Sequence, residues 1–429
     1  MFKVRTHAIA LTLLLALLSS TAAGCAPAPA PASIPTATPV APTATATTAP
    51  TDTPIPTATE TPFVPKATVK IVSQSPEYSD IAEGAQLAVE QLAGALRDLG
   101  YKAEYVAYDD QDNVDVAAKN AGEIIDDPEV LCGVGHYTSR VTINLEDLYH
   151  RAALAFISPS ATNPQVTGRH YLEISRVASR DDGLAAAAVQ FIQSKGMESF
   201  FLVRNNVDFF NRVGNEFRRG ADAAHITILG DLPASIEMGN FEAVITHVMD
   251  AKPDVVLFGG SANQAGTFFH QARLAGYEGM LIAIDGADAL GQNAGPLGLE
   301  GGGLYYMAGS VPPQVFAGTQ QFSTDFQLAF SAAPQLLGYG AEAYDAAGIC
   351  LRAIEEASKT KGGELPTRQD VAQAVRLIQS YPGLTGTFSF NEDGDPVVAR
   401  YLVIQVASVD PNNWARNPIA SEFELPPPK

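Results

Sequence analysis

From Ala67 onward, short apolar runs alternate with longer stretches whose apolar residues recur every three or four positions. That alternation constrains the fold more than any other feature. Apolar runs make buried strands, the 3.6-residue period makes helices, and strands separated by helices pair in parallel with helices on both faces. ATVKIVS (67–73) reads as a buried strand. Residues 80–99 follow as a helix with Ile81, Ala85, Ala88, Val89, Leu92 and Leu96 on one face, closed by Gly100. Strands are predicted over 103–109, 130–136 and 154–158, with helices over 114–125 and 139–151. The pattern then restarts, with strands over 199–204, 226–229, 254–260 and 280–285 and helices over 209–223, 241–251 and 264–275. The predicted fold class is α/β, built as two Rossmann-like lobes; the repeat is one of pattern, not of sequence. Segments 319–332, 339–359 and 368–380 read as helices. TGTFSF (385–390) and VVARYLVIQV (397–406) read as a hairpin turning at Asp393-Gly394. These pieces are too few for a third domain and complete the two lobes if the chain crosses between them more than once.

The N-terminus is a targeting segment. Lys3 and Arg5 precede an apolar stretch, Ala8 to Leu18, too short to span a bilayer. Ala22-Ala23-Gly24-Cys25 resembles a bacterial lipobox, with Ala22 where that pattern prefers leucine. The resemblance implies a lipidated Cys25 and a signal peptide over 1–24. Residues 25–65 are dominated by Ala, Pro and Thr, which offer too little apolar bulk to fold. They are expected to form a tether reaching on the order of 100 Å at about 3.1 Å per residue. The net charge of −20 argues against nucleic acid and against a basic face docking on anionic lipid. Membrane association is expected only through the N-terminal lipid. Cys132 falls in a strand and Cys350 in a helix; no spacing pairs them, and buried free thiols are expected.

In open α/β sheets, ligands meet the loops at the carboxyl ends of strands. Three such loops carry suitable chemistry. Gly135-His136-Tyr137-Thr138-Ser139 leads into a helix, whose first N–H groups suit a carboxylate. Ser139 reads either as the N-cap or as a ligand donor. Ser160 and Thr162 stand in a turn stiffened by Pro159 and Pro164, where they serve either their own turn or a ligand. Asp285, after a second-lobe strand, reads equally as a helix cap and as the partner of an ammonium group. An enzyme is a weaker reading. GGSAN (259–263) comes near the hydrolase elbow, but Asn263 replaces its last glycine and no His and acid pair is placed beside it. Gly133 and Gly135 lack the third glycine of a dinucleotide fingerprint, and neither the histidines nor the acidic turns have metal-ligand spacing. No catalysis, cofactor or metal is expected.

GHYTSRVT (135–142), ISPSATNPQVT (157–167), FFHQARLAGY (268–277), AYDAAG (343–348) and GLTGTFSFNEDGDP (383–396) occur in one order. The set resembles the branched-chain amino acid (leucine/isoleucine/valine) substrate-binding proteins of ABC importers, from about Val69 to Val406. The resemblance implies a type I periplasmic binding fold, a Venus flytrap of two lobes joined by three passages. Lobe boundaries of 66–178 with 310–383, and 179–309 with 384–412, follow, leaving 413–429 as a C-terminal tail whose last residues, Leu425 to Lys429, are expected to fray. It implies that the Ser139 hydroxyl and amide hold a ligand carboxylate, that Thr162 meets both carboxylate and ammonium, and that Ser160 offers its carbonyl beside Ala161. It implies that Asp285 pairs with the ammonium and that Tyr78 and Phe209 supply aromatic walls. Ser261 stands where the pattern has a tyrosine, which widens the pocket. The implied role is a monomeric extracytoplasmic lipoprotein delivering a small ligand, an amino acid or related carboxylate, to an ABC permease; delivery to a membrane sensor is the alternative.

Overall fold

A computed structural model describes residues 63–234, 239–284, 290–309, 317–335, 338–410, 413 and 417–428. Cys25 and Asp285 lie outside the described residues. The first series of elements is β1 (Ala67–Ser75), α1 (Ile81–Leu92), α2 (Gly94–Asp98), β2 (Tyr101–Asp109), α3 (Val114–Asp126), β3 (Val130–Gly135), α4 (Ser139–Arg151), β4 (Ala155–Ser158) and β5 (Ile174–Arg176). The second is α5 (Asp181–Ser194), β6 (Ser199–Asn205), α6 (Asp208–Ala224), β7 (Thr227–Ala234), α7 (Glu242–Ala251), β8 (Val255–Gly259), α8 (Ala262–Leu274), β9 (Met280–Ile284), α9 (Leu290–Gly298) and β10 (Leu304–Ala308). The remainder is α10 (Ala317–Phe330), α11 (Gly340–Thr360), α12 (Arg368–Leu377), β11 (Tyr381–Pro382), β12 (Thr387–Phe388), β13 (Ala399–Gln405) and β14 (Ile419–Leu425).

The two expected lobes are two sheets. The first has the order β2-β1-β3-β4-β5, all parallel. The second repeats that topology as β7-β6-β8-β9-β10, then adds β13 and β14 antiparallel at the β10 edge. The central strands β3 and β8 are buried along their whole length, as expected where helices cover both faces. The predicted helix over 80–99 is interrupted at Ala93, just before Gly94, a poor helix former. Gly84 is required on α1: a β-carbon there would strike the carbonyl of Gly340, so the glycine lets α1 and α11 touch.

The chain passes between the lobes three times. Val177–Arg180 carries it from β5 into α5, which packs on the second sheet. It returns after β10, and α11 and α12 join the first core with Ile349, Ile354, Val371 and Val375. The third passage falls later than the boundary at 383 and 384, because Phe388 and Phe390 are still buried in the first core. Asp345 of α11 holds it there, accepting from the Leu384 and Thr385 amides and the Thr385 hydroxyl at 2.6, 2.8 and 2.6 Å. Burial pushes the Asp345 carboxyl up to about 6.

Three expectations need correction. The hairpin over 385–390 and 397–406 does not form: β12 pairs with β11, only a Phe390–Pro396 bridge survives, and β13 crosses to β10. Its apolar residues Leu402, Val403 and Ile404 are wholly covered there, which a solitary hairpin cannot provide. The second lobe does not end at 412, since Ile419–Leu425 forms β14 along β13. Cys132 and Cys350 are not free thiols but a disulfide, S–S 2.01 Å and Cα–Cα 5.8 Å. A separation of 218 residues hid that pairing; packing of α11 against β3 creates it. Among the described residues no helix is long and apolar enough to cross a membrane.

A crosslink closing so long a loop mainly restricts the unfolded chain. Cys132→Ala/Cys350→Ala is expected to lower unfolding free energy by about 2–4 kcal/mol, read from urea melts without reductant. An unchanged midpoint would mean that the sulfurs are not joined.

Candidate functional site

A 2-1-3-4-5 strand order leaves a crevice where the order reverses, beyond the carboxyl ends of the first and third strands. Here both lobes have one. In the first lobe the loops after β1 and β3 flank it; in the second, the loops after β6 and β8 do. Tyr137, Ser139, Arg140, Thr162 and Tyr339 line a cleft of about 580 Å³ whose other wall is Val207, Phe209 and Arg212 at the start of α6. The described residues that line it include two arginines and no carboxylate.

The loop after β3 is anchored by a buried histidine. His136 Nδ1 lies 2.6 Å from Asp110 Oδ2, and its Nε2 lies 2.9 Å from the Tyr149 hydroxyl, which accepts from Gln74 Nε2 at 2.8 Å. The Tyr149 hydroxyl thus bridges Gln74 and His136, and the His136 ring bridges Tyr149 and Asp110. The His136 and Tyr149 rings both stack on Phe156. Thr138 is the N-cap residue of α4 without a side-chain cap bond, so Ser139 is not the cap. The Ser139 hydroxyl instead accepts from the Asn163 amide at 3.2 Å and lines the cleft.

The turn after β4 divides its hydroxyls between two tasks. Ser158 Oγ accepts from the Ala161 amide at 3.0 Å. Ser160 Oγ donates to the carbonyls of His136 and Tyr137 at 3.1 and 2.8 Å, stitching this turn to the loop after β3. Thr162 differs: half-buried, its hydroxyl has no protein hydrogen-bond partner among the described residues and lines the cleft. Beneath the turn lies Arg176, fully buried, donating to the carbonyls of Ala161 and Asn163 at 2.8 Å each and to Thr167 Oγ1 at 2.7 Å.

Arg176 also reaches the third passage, where its Nε meets Asp395 Oδ1 at 2.7 Å. Arg180 of the first passage meets the other oxygen of Asp395 at 2.8 Å. Burial pushes the Asp395 carboxyl up, but Arg176 and Arg180 outweigh it and hold the group below its ordinary value. Gly394, at φ +98°, completes the turn that presents Asp395, and the Asn391 side chain accepts from the amides of residues 393, 394 and 395. Tyr401 of β13 bonds the Arg180 backbone, and Ser179 Oγ donates to the Gly309 carbonyl at 2.5 Å. These passages line a second cavity of about 420 Å³ that shares Thr162, Phe209 and Tyr339 with the cleft.

The structure brings Ser139, Ser160, Thr162 and Phe209 together at the cleft. Ala161 lies beneath it, fully buried, with amide and carbonyl both committed to the protein. Tyr78 stands at the rim, 57 % exposed and edge-on to Tyr137. Ser261 caps α8 in a reciprocal pair with Gln264 and is not among the lining residues. Sequence reasoning missed Tyr339, Arg140 and Arg212. Tyr339, at φ +58°, stands between Gly338 and Gly340, and that glycine-flanked aromatic was the available signal.

Two doubly wound lobes, three passages and a cleft at paired switch points define a bilobal binding protein. The chain belongs to the periplasmic binding protein family, whose model matches residues 74–410. It is therefore a solute-binding protein and not an enzyme. It is 27 % identical to the leucine-, isoleucine-, valine-, threonine- and alanine-binding protein of Pseudomonas aeruginosa, over 76 % of this chain and 87 % of that one. A leucine-binding protein of Thermotoga maritima superposes with TM-score 0.65 at 22 % identity, covering 84 % of this chain and 99 % of its own. A solute-binding protein of R. palustris, solved with benzoate, gives TM-score 0.63 at 18 % identity over 83 % and 96 %. Both structures share the type I periplasmic binding fold with this chain.

Asp395→Asn leaves Arg176 buried without its counter-charge and is expected to cost about 3–5 kcal/mol at pH 7. The folded-state value of Asp395 lies below its ordinary 3.8, so its stabilisation is complete above that pH and lost as pH falls through the folded value. Wild type should therefore show a component of acid destabilisation below about pH 4 that the variant lacks. Superimposable pH profiles in chemical unfolding would contradict this.

Proposed function

We propose that this chain is an extracytoplasmic, lipid-anchored binding protein that captures an amino acid or similar small carboxylate and delivers it to an ABC permease. One observation carries the reading: Thr162's unpartnered hydroxyl and the start of α4 face the second-lobe wall across a cleft at both switch points. The ligand carboxylate meets the first N–H groups of α4, the Ser139 hydroxyl and Thr162. Such hydrogen bonds to a charged group contribute roughly 1.5–3 kcal/mol each. The ammonium meets Asp285, a role that rests on the resemblance. The Pseudomonas relative is named for amino acids and the R. palustris protein was solved with benzoate, so the proposed class extends to acids without an amine.

Closure follows from differential contact. A solute touching both walls favours the closed state by the interactions that state adds, and the passages flex to allow it. The lipid at Cys25 and the tether hold the lobes near the permease at raised effective concentration.

Asp285→Ala is expected to weaken amino acid binding more than tenfold by calorimetry, about the loss of one charged hydrogen bond; equal affinity would remove the ammonium contact from the reading. The double variant Ser139→Ala/Thr162→Ala should lose binding with little change in melting temperature. Binding kept with a lowered melting temperature would make both residues structural. Cys25→Ser is expected to move the protein from the membrane fraction to the medium, and its retention would exclude lipidation as the anchor.

A further inference from the structure

We propose that Arg212 selects a solute carrying a second carboxylate, an α-amino dicarboxylate or its deaminated analogue, rather than an aliphatic amino acid. The inference rests on the binding reading above and sharpens it. Arg212 follows Phe209 by three residues on α6, so the two side chains share a helix face and together form the second-lobe wall. Its Nε is buried and has no hydrogen-bond partner among the described residues. The nearest carboxylate, Asp181 Oδ2, stands 3.7 Å from Nη2, an ion-pair distance too long for a hydrogen bond.

The other cation of the cleft is already occupied. Arg140 Nη2 donates to the Asp112 carbonyl at 2.5 Å and turns back onto its own lobe. Arg212 is thus the guanidinium left with an unused N–H at the cleft wall. A guanidinium edge matches the two oxygens of a carboxylate, which takes two parallel hydrogen bonds from it. An aliphatic side chain placed there would leave that N–H buried and unpaired on closure, and a buried donor without an acceptor is costly. The first-lobe donors at Ser139, Thr162 and α4 can hold only one carboxylate of the solute. The second, at the far end, then falls to the opposite wall, where Arg212 stands.

The test is calorimetry on the full chain with L-glutamate, L-aspartate, glutarate, L-glutamine and L-leucine, for wild type, Arg212→Gln and Arg212→Lys. At least one dicarboxylate should bind wild type about tenfold or more tighter than glutamine and leucine, the scale of one charged hydrogen bond. Arg212→Gln should reduce that preference below about threefold, and Arg212→Lys, which keeps the charge and loses the fork, should fall between. Equal or tighter binding of leucine or glutamine to wild type overturns the second carboxylate but leaves the binding reading standing. A preference that survives in Arg212→Gln removes the role of Arg212. Failure of all five compounds to bind overturns the second carboxylate. Thermal unfolding of each variant shows that the comparison is made on folded protein.

Discussion

The fully buried contact between Arg176 and Asp395 joins parts of the chain 219 residues apart. It does more than neutralise two charges. The same guanidinium holds the carbonyls of Ala161 and Asn163, which shape the turn at the cleft, while the same carboxylate is held by Arg180 on the first passage. One group thus fixes both the path of two passages and the position of the turn that offers Thr162. A buried ion pair gains little against a well-packed apolar substitute, but half of one is strongly destabilising. Its value here is geometric: hydrogen bonds fix directions as well as distances, and apolar contacts do not.

Around that centre, polar contacts are spent on placement and apolar ones on cohesion. Gln74, Tyr149, His136 and Asp110 form a hydrogen-bonded chain under the loop after β3. Ser160 ties that loop to the turn after β4. The hydroxyls that look most available in sequence are therefore largely committed inside the protein. The ones that remain at the cleft, Ser139 and Thr162, stand on backbone already held in place, so a ligand meeting them orders little. Cohesion comes from separate apolar cores in each lobe, with α11 completing the first and β13 the second.

Helices and strands of both series were legible because burial on two faces imposes apolar runs and burial on one imposes the 3.6-residue period. β5, at three residues, and β14, with an alternating and half-exposed pattern, leave too weak a trace. Ser139 and Thr162 were legible as candidates because small hydroxyls follow strands there, whereas Phe209 came only from the resemblance; all three line the cleft. Ser261 was named only because the resemblance puts a tyrosine at its position; here it caps α8 and is not among the residues lining the cleft. Arg212 was invisible because an arginine on an amphipathic helix is ordinary; only the opposite lobe makes its position special.

By itself the sequence determined the α/β class, the doubling of the lobes, the apolar faces and the loops from which a site can be built. These depend on local periodicity and on residue chemistry within a few positions of each other. Only the tertiary structure decided that Cys132 meets Cys350, that β13 leaves its apparent hairpin partner for β10, that Asp395 neutralises Arg176, and that Phe209 and Arg212 face Thr162 across a gap. Those pairings join residues from tens to more than two hundred positions apart. No periodicity encodes them; they arise when each lobe covers its own apolar surface and brings distant polar groups within hydrogen-bonding range.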